Sequence, residues 1–277
     1  IELAENGAKS GKIKTIGPLI HNNKEIERLE SLGVYSSGLD EIEANDTVLI
    51  RTHGVGPEIY EELAKKSART IDATCPFVSK AQQMATQAIN EGYQVIILGN
   101  QEHPEVQGIC SWTGNTALVV KSWHDLKDAA ELPDRVAILA QTTEKEEKFL
   151  ELAEHLRVRV KDLKIIDTIC TATKLRQQAV EKLAQQVDVM LIIGDKHSSN
   201  TRKLWEICQK HNTPGYLIED PVELQANWFL GKNSVGISAG ASTPAWIVEE
   251  VKKKMEELKE QLANDRNSCR TGRDYRG

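Results

Sequence analysis

Five short apolar runs punctuate the chain: TVLI (47–50), QVIIL (94–98), VAILA (136–140), VMLII (189–193) and VGISA (235–239). Between them the apolar positions take up helical spacing. After Cys75, positions 81, 84, 85, 88 and 89 fall on one helical face, and after Cys170 positions 175, 179, 180, 183, 184 and 187 do the same. Strands of four or five residues alternating with helical stretches of roughly 10–16 residues predict an α/β fold built on parallel sheets.

The spacing of landmarks adds a repeat. Cys75 lies 24 residues before Gly99, which closes VIILG, and Cys170 lies 24 residues before Gly194, which closes LIIG. Both stretches read strand, Asp, Cys, helix, strand, Gly, polar loop, at an offset of 95 residues. A duplicated α/β unit accounts for the match. Residues 1–74 carry the later half of the same unit in DTVLIRTHGVG, without a cysteine at the equivalent corner. Three α/β units are therefore expected: 1–74, incomplete at its N-terminus, then 75–167 and 168–243. A helix over 244–262 is expected to pack on the first unit. The tail over 263–277, rich in Arg and without periodicity, is expected to be disordered.

Composition narrows the class. A chain of 277 residues that is 40% hydrophobic can bury one large core or two to three small ones. Its net charge of −6 argues against a general nucleic-acid surface. The longest apolar runs are far short of the about 20 residues a membrane helix needs, and the opening IELAENGAKSGK has no signal-peptide pattern. Five widely spread cysteines in such a chain point to reduced or metal-bound thiols rather than disulfides, and to a soluble cytoplasmic protein.

Ligands of parallel sheets collect beyond the carboxyl ends of the strands, so the residues following each strand are the candidate chemistry. These are His21, His53, His103 with Glu105, Thr142 with Thr143, the Ser198–Ser199–Asn200 run, and Ser242. Histidines, hydroxyls, an amide and the N–H groups of helix starts suit a diphosphate. Neither a Walker A sequence nor GxGxxG is present. Cys75 precedes Pro76 and so falls at a helix N-cap, where a thiolate is stabilised, and Cys170 occupies the equivalent corner. Two thiolates are too few for a closed zinc site without histidines. Three on a [4Fe–4S] cluster would leave one iron open to substrate. Cys110 sits off the repeat, Cys208 is expected in the core, and Cys269 lies in the tail.

In this order the segments HNN, THGV, DATCP, HPEVQG, QTT, ICTATKLRQ, KHSSN and AGAS resemble the 4-hydroxy-3-methylbut-2-enyl diphosphate reductase family, from about residue 14 to 250. The resemblance implies three α/β units in a pseudo-threefold trefoil around a central cavity that holds a [4Fe–4S] cluster. It implies Cys75 and Cys170 as cluster ligands. His21, His53, Ser198, Ser199, Asn200 and Ser242 would be diphosphate ligands. His103 would be a further pocket residue, Glu105 the proton donor and Thr142 its hydrogen-bonding partner. It further implies ferredoxin or flavodoxin as electron donor, with no membrane or nucleic-acid partner. His197 stands where the family usually has Asn. The family begins with a strand and a GFC-type loop, so a third cluster cysteine is expected upstream of Ile1. Two other readings fit the residues: a zinc- or thiol-dependent hydrolase of a phosphorylated metabolite, using Cys75 with His53 or His103, and a non-catalytic diphosphate-binding module.

Overall fold

The computed structural model describes the chain except for Ser10, His21, residues 128–131, Asn212 and residues 272–277, and describes 262–271 by backbone alone. The chain forms two compact units, residues 1–174 and 175–277.

The first unit contains two four-stranded sheets. One holds β1 (Ile13–Ile16), β2 (Val34–Ser37), β3 (Thr47–Ile50) and β4 (Arg69–Asp72) in the order β2-β1-β3-β4. The other holds β5 (Gln94–Leu98), β6 (Leu118–Val120), β7 (Arg135–Ala140) and β8 (Asp162–Ile165) in the order β6-β5-β7-β8. The second unit holds β9 (Val189–Ile193), β10 (Gly215–Ile218) and β11 (Val235–Ala239) in the order β10-β9-β11. All these pairings are parallel. One winding is thus used three times. β1, β5 and β9 are equivalent, as are β3, β7 and β11, and β4 matches β8. Among the described residues the third sheet has no strand in that last position.

The helices are α1 (Glu2–Ala8), α2 (Asn23–Ser31), α3 (Pro57–Lys65), α4 (Pro76–Asn90), α5 (Pro104–Trp112), α6 (Glu146–Arg157), α7 (Thr171–Ala184), α8 (Ser199–Lys210) and α9 (Ala245–Thr271). They cover the sheets because successive strand residues point to opposite faces. In the second sheet Ile96, Leu98, Val136 and Ile138 face Phe149, Leu152 and Leu156 of α6. Val95, Ile97, Ala137 and Leu139 face Ala81, Ala85 and Ala88 of α4 with Val106 and Ile109 of α5. The small alanines, three and four residues apart, let α4 lie close to the strands. It stops at Glu91, followed by Gly92 with φ +80°, a left-handed conformation glycine adopts without strain.

In the second unit Val180 and Ala184 of α7 are buried with Met190, Leu204 and Cys208. Cys208 is therefore a core residue, as expected. Leu175, predicted on the buried face of α7, is instead 61% exposed. In helix α9, Ile247 and Val251 are buried against Leu191, Ile193 and Ile218 of the third sheet. The short connection from β11 returns the helix to its own sheet. It also runs to Thr271, beyond the predicted end at 262, because no Gly or Pro interrupts the chain before Gly272. The remainder of the expected disordered tail, 272–277, and the Cys269 side chain lie outside the described residues. No helix among the described residues is long and apolar enough to cross a membrane.

Candidate active site

The repeated winding puts the candidate residues in equivalent places. The turns from β5 into α5 and from β9 into α8 carry His103 with Glu105 and Ser198 to Asn200. His21 follows β1 but lies outside the described residues. The loops after β3, β7 and β11 carry His53, Thr142 with Thr143, and Ser242. The loops after β4 and β8 carry Cys75 and Cys170.

Both cysteine corners are built alike. The N–H of Thr74 donates to Asp72 Oδ1 at 2.8 Å, and the N–H of Ile169 donates to Asp167 Oδ1 at 3.0 Å. Each Asp thereby closes an Asx turn that bends the chain off its strand. The N–H of Cys75 donates to the carbonyl of Thr52, and that of Cys170 to the carbonyl of Thr142, both at 2.9 Å. Cys75 is the N-cap of α4 with Pro76 in the first position, and Cys170 directly precedes α7. Both thiols are half-buried and unbridged. The other oxygen of each Asp is also used. Asp72 accepts from the Tyr60 phenol at 2.9 Å, and burial together with that carboxylate pushes the phenol up to about 12. Asp167 accepts from Lys174 at 2.7 Å, which also reaches Glu146 at 2.8 Å. Burial pulls the Lys174 ammonium down, but these two bonds outweigh it and its pKa is raised. Among the described residues no three His, Cys, Asp or Glu side chains converge as a group able to hold a metal.

Glu105 lies in the first turn of α5 and is 2% exposed. Thr142 grips both its oxygens: the backbone N–H donates to Oε1 at 2.6 Å, and the hydroxyl meets Oε2 at 2.9 Å. The first contact fixes Oε1 as an acceptor. The second can run in either direction, because a hydroxyl both donates and accepts, so a proton on this carboxyl belongs on Oε2. His103 caps α5, its Nδ1 accepting from the N–H of Glu105 at 3.2 Å. That bond leaves Nε2 as the protonated nitrogen of the neutral ring. The His103 ring stands edge-on to His53, centroids 5.3 Å apart. Glu105, Thr142, His103 and His53 therefore occupy one end of the first unit.

In the second unit Ser198 is the N-cap of α8, its Oγ accepting from the N–H of Thr201. Asn200 follows in the first turn, 4% exposed, and neither atom of its amide has a hydrogen-bond partner. The Thr201 hydroxyl is also buried without one. Gly194, with φ +142°, and Gly240 lie against this hydroxyl; a Cβ on Gly240 would approach it to 2.2 Å. The lack of side chains there brings the turns after β9 and β11 close together. Thr243 Oγ1 bonds the Ile193 carbonyl at 3.1 Å, seating the loop that holds Ser242. A helix start with unpaired buried donors suits an oxyanion.

Several contributors are absent from the residues singled out in the sequence. Tyr60 and Lys174 support the two corners, and Gln82 of α4 reaches the Val55 carbonyl beneath the His53 loop. The Asp-x-x-Cys spacing is visible twice in the sequence, but its meaning rests on the N–H two residues after each Asp.

A family model described as LytB protein matches residues 1–256. The chain belongs to the LytB family. Similar members of this family include the 4-hydroxy-3-methylbut-2-enyl diphosphate reductase of Aquifex aeolicus, 46% identical over 263 residues, covering 93% of this chain and 91% of that protein. The enzyme of that name from Wolinella succinogenes is 45% identical, covering 94% and 93%. Among solved structures, (E)-4-hydroxy-3-methyl-but-2-enyl diphosphate reductase, described as the terminal enzyme of the non-mevalonate pathway, is 47% identical. It matches with a TM-score of 0.69 over 92% of each chain. The Plasmodium falciparum E-1-hydroxy-2-methyl-but-2-enyl-4-diphosphate reductase is 26% identical, with a TM-score of 0.85 over 91% of this chain and 81% of that one.

Proposed function

We propose that this chain is a 4-hydroxy-3-methylbut-2-enyl diphosphate reductase acting at the last step of the methylerythritol phosphate route to isoprenoids. Two electrons and two protons would convert the allylic alcohol to water and either isopentenyl or dimethylallyl diphosphate. The strongest support is Asn200, a buried amide with no partner at the start of α8. A group left so in a native fold calls for a ligand, and the neighbouring hydroxyls suit phosphate oxygens. Ser198, Ser199, Asn200 and Ser242 are accordingly assigned to the diphosphate, as are His53 and His21 by resemblance.

Cys75 and Cys170, free thiols on matched helix starts, fit two positions of a [4Fe–4S] cluster. When bound, such a cluster supplies one-electron chemistry and a Lewis-acidic iron. The protons are the task of the chain's own residues. Glu105 would hold one on Oε2, with Thr142 fixing the carboxyl and His103 offering Nε2–H beside it. Delivery to the hydroxyl lets it depart as water, and protonation at either end of the allylic system decides between the two products. Ferredoxin or flavodoxin would supply the electrons, in the cytoplasm. Replacing Glu105 by Gln preserves the shape and removes the acid. Steady-state turnover should fall by about 100-fold or more while substrate binding is retained. Near-normal turnover would remove Glu105 from the mechanism.

A further inference from the structure

A second concavity lies in the first unit, behind the two histidine loops. It is a cavity of about 690 Å³ whose lining includes residues 54–56 and Gln101, Glu102 and Gln107. His53 and His103 belong to these same loops but do not line it. Its volume lies within the range of small-molecule sites, and it sits beyond the carboxyl ends of β3 and β5, where parallel sheets bind ligands.

Arg51 supplies the chemistry. It directly follows β3, and its guanidinium lies over Gly17, where a Cβ would come within 2.9 Å of Nη1. Gly17 has φ +70°, a left-handed conformation that favours glycine. Among the described residues the guanidinium has no acceptor. Its Nε is buried with no hydrogen-bond partner, and burial alone pulls its pKa down. A desolvated cation facing a cavity is costly to the fold unless an anion meets it. The other charged groups on the walls are Glu58 and Glu102. Glu58 folds back to accept from the Ser111 hydroxyl at 2.8 Å, and both carboxylates can accept further hydrogen bonds. They repel a bare anion and favour one that carries donors.

We propose that this cavity is a second anion site, for a small metabolite with a phosphate or carboxylate at one end and hydroxyl or amine donors at the other. Arg51 takes the oxyanion in its planar fork, and Glu58 and Glu102 take the donors. An occupant fills the back of both histidine loops, so its binding is felt at His53 and His103.

Titration calorimetry on the full chain carrying Asn200→Ala, which disables the proposed diphosphate site, tests this with glycerol 3-phosphate, glycerate and inorganic phosphate. Glycerol 3-phosphate or glycerate should bind saturably and more tightly than inorganic phosphate, and whichever binds more tightly identifies the preferred oxyanion. Adding Arg51→Met should weaken that binding by about tenfold or more, as loss of a charged hydrogen bond implies. Adding Glu58→Gln instead, which leaves Arg51 in place, should narrow the preference over inorganic phosphate. No saturable binding to the parent, or unchanged binding after Arg51→Met, overturns the proposal. Should Arg51→Met fail to fold, an unchanged preference in Glu58→Gln overturns it.

Discussion

Asn200 and Tyr60 show how single side chains tie local chemistry to stability. An unpaired buried amide costs the fold about 1–3 kcal/mol, so Asn200 weakens the ligand-free protein while standing ready to bind. Tyr60 sits on the opposite side of this balance. Its phenol is satisfied by Asp72 and raised to about 12, against about 10 for a free tyrosine. Above pH of about 10 the unfolded chain releases this proton while the folded chain keeps it. The folded state then binds more protons, so stability falls as pH rises from about 10 to about 12. Urea midpoints measured across this window should decline less steeply in Tyr60→Phe. Equal slopes in the two proteins would show that the Asp72 contact does not hold the phenol proton.

At the scale of elements, stability rests on the central strands. Ile97 of β5 is fully buried between α4 and the strands beside it. Ile97→Ala should cost about 2–5 kcal/mol, read as a lowered urea midpoint with an unchanged m value. The same burial explains which elements are legible from sequence. β3, β5, β9 and β11 have the boundaries predicted from their apolar runs, and β7 starts one residue earlier, at Arg135. The interior strands β3, β5, β7 and β9 are covered on both faces and need unbroken apolar sequence, whereas β11, at the edge of its sheet and half-buried, is read from the short VGISA run alone. β4 (RTID) and β8 (DLKI) lie at sheet edges with exposed side chains, so their sequences resemble loops. The site divides in the same way. Residues following β3, β5, β7, β9 and β11 could be found by position alone. Asp72 and Asp167 could be seen but not interpreted, because their partners are backbone N–H groups. Arg51 could not be found at all, since its significance depends on Gly17 and on loops about 50 residues apart in the chain.

For the whole molecule, ligand binding and folding are linked. A ligand that binds only the native state stabilises it by about 2.7 kcal/mol at 100 times its Kd. Pyrophosphate should therefore raise the melting temperature of the intact chain in a concentration-dependent way. In Asn200→Ala the rise should shrink or vanish, while the ligand-free melting temperature is no lower than in the parent. An equal rise in both proteins would separate Asn200 from diphosphate binding. The repeated winding also governs how such groups are assembled. β7 lies between β5 and β8, so Thr142 at its end stands between the element that carries Glu105 and the corner that carries Cys170. Its N–H and hydroxyl hold the carboxyl, and its carbonyl holds the cysteine amide. Glu105 and Cys170 are 65 residues apart along the chain, yet their placement error accumulates over a few hydrogen bonds to one shared reference point. A shift of that point carries both groups with it, so the spacing between acid and thiol survives motions that would scatter residues mounted separately.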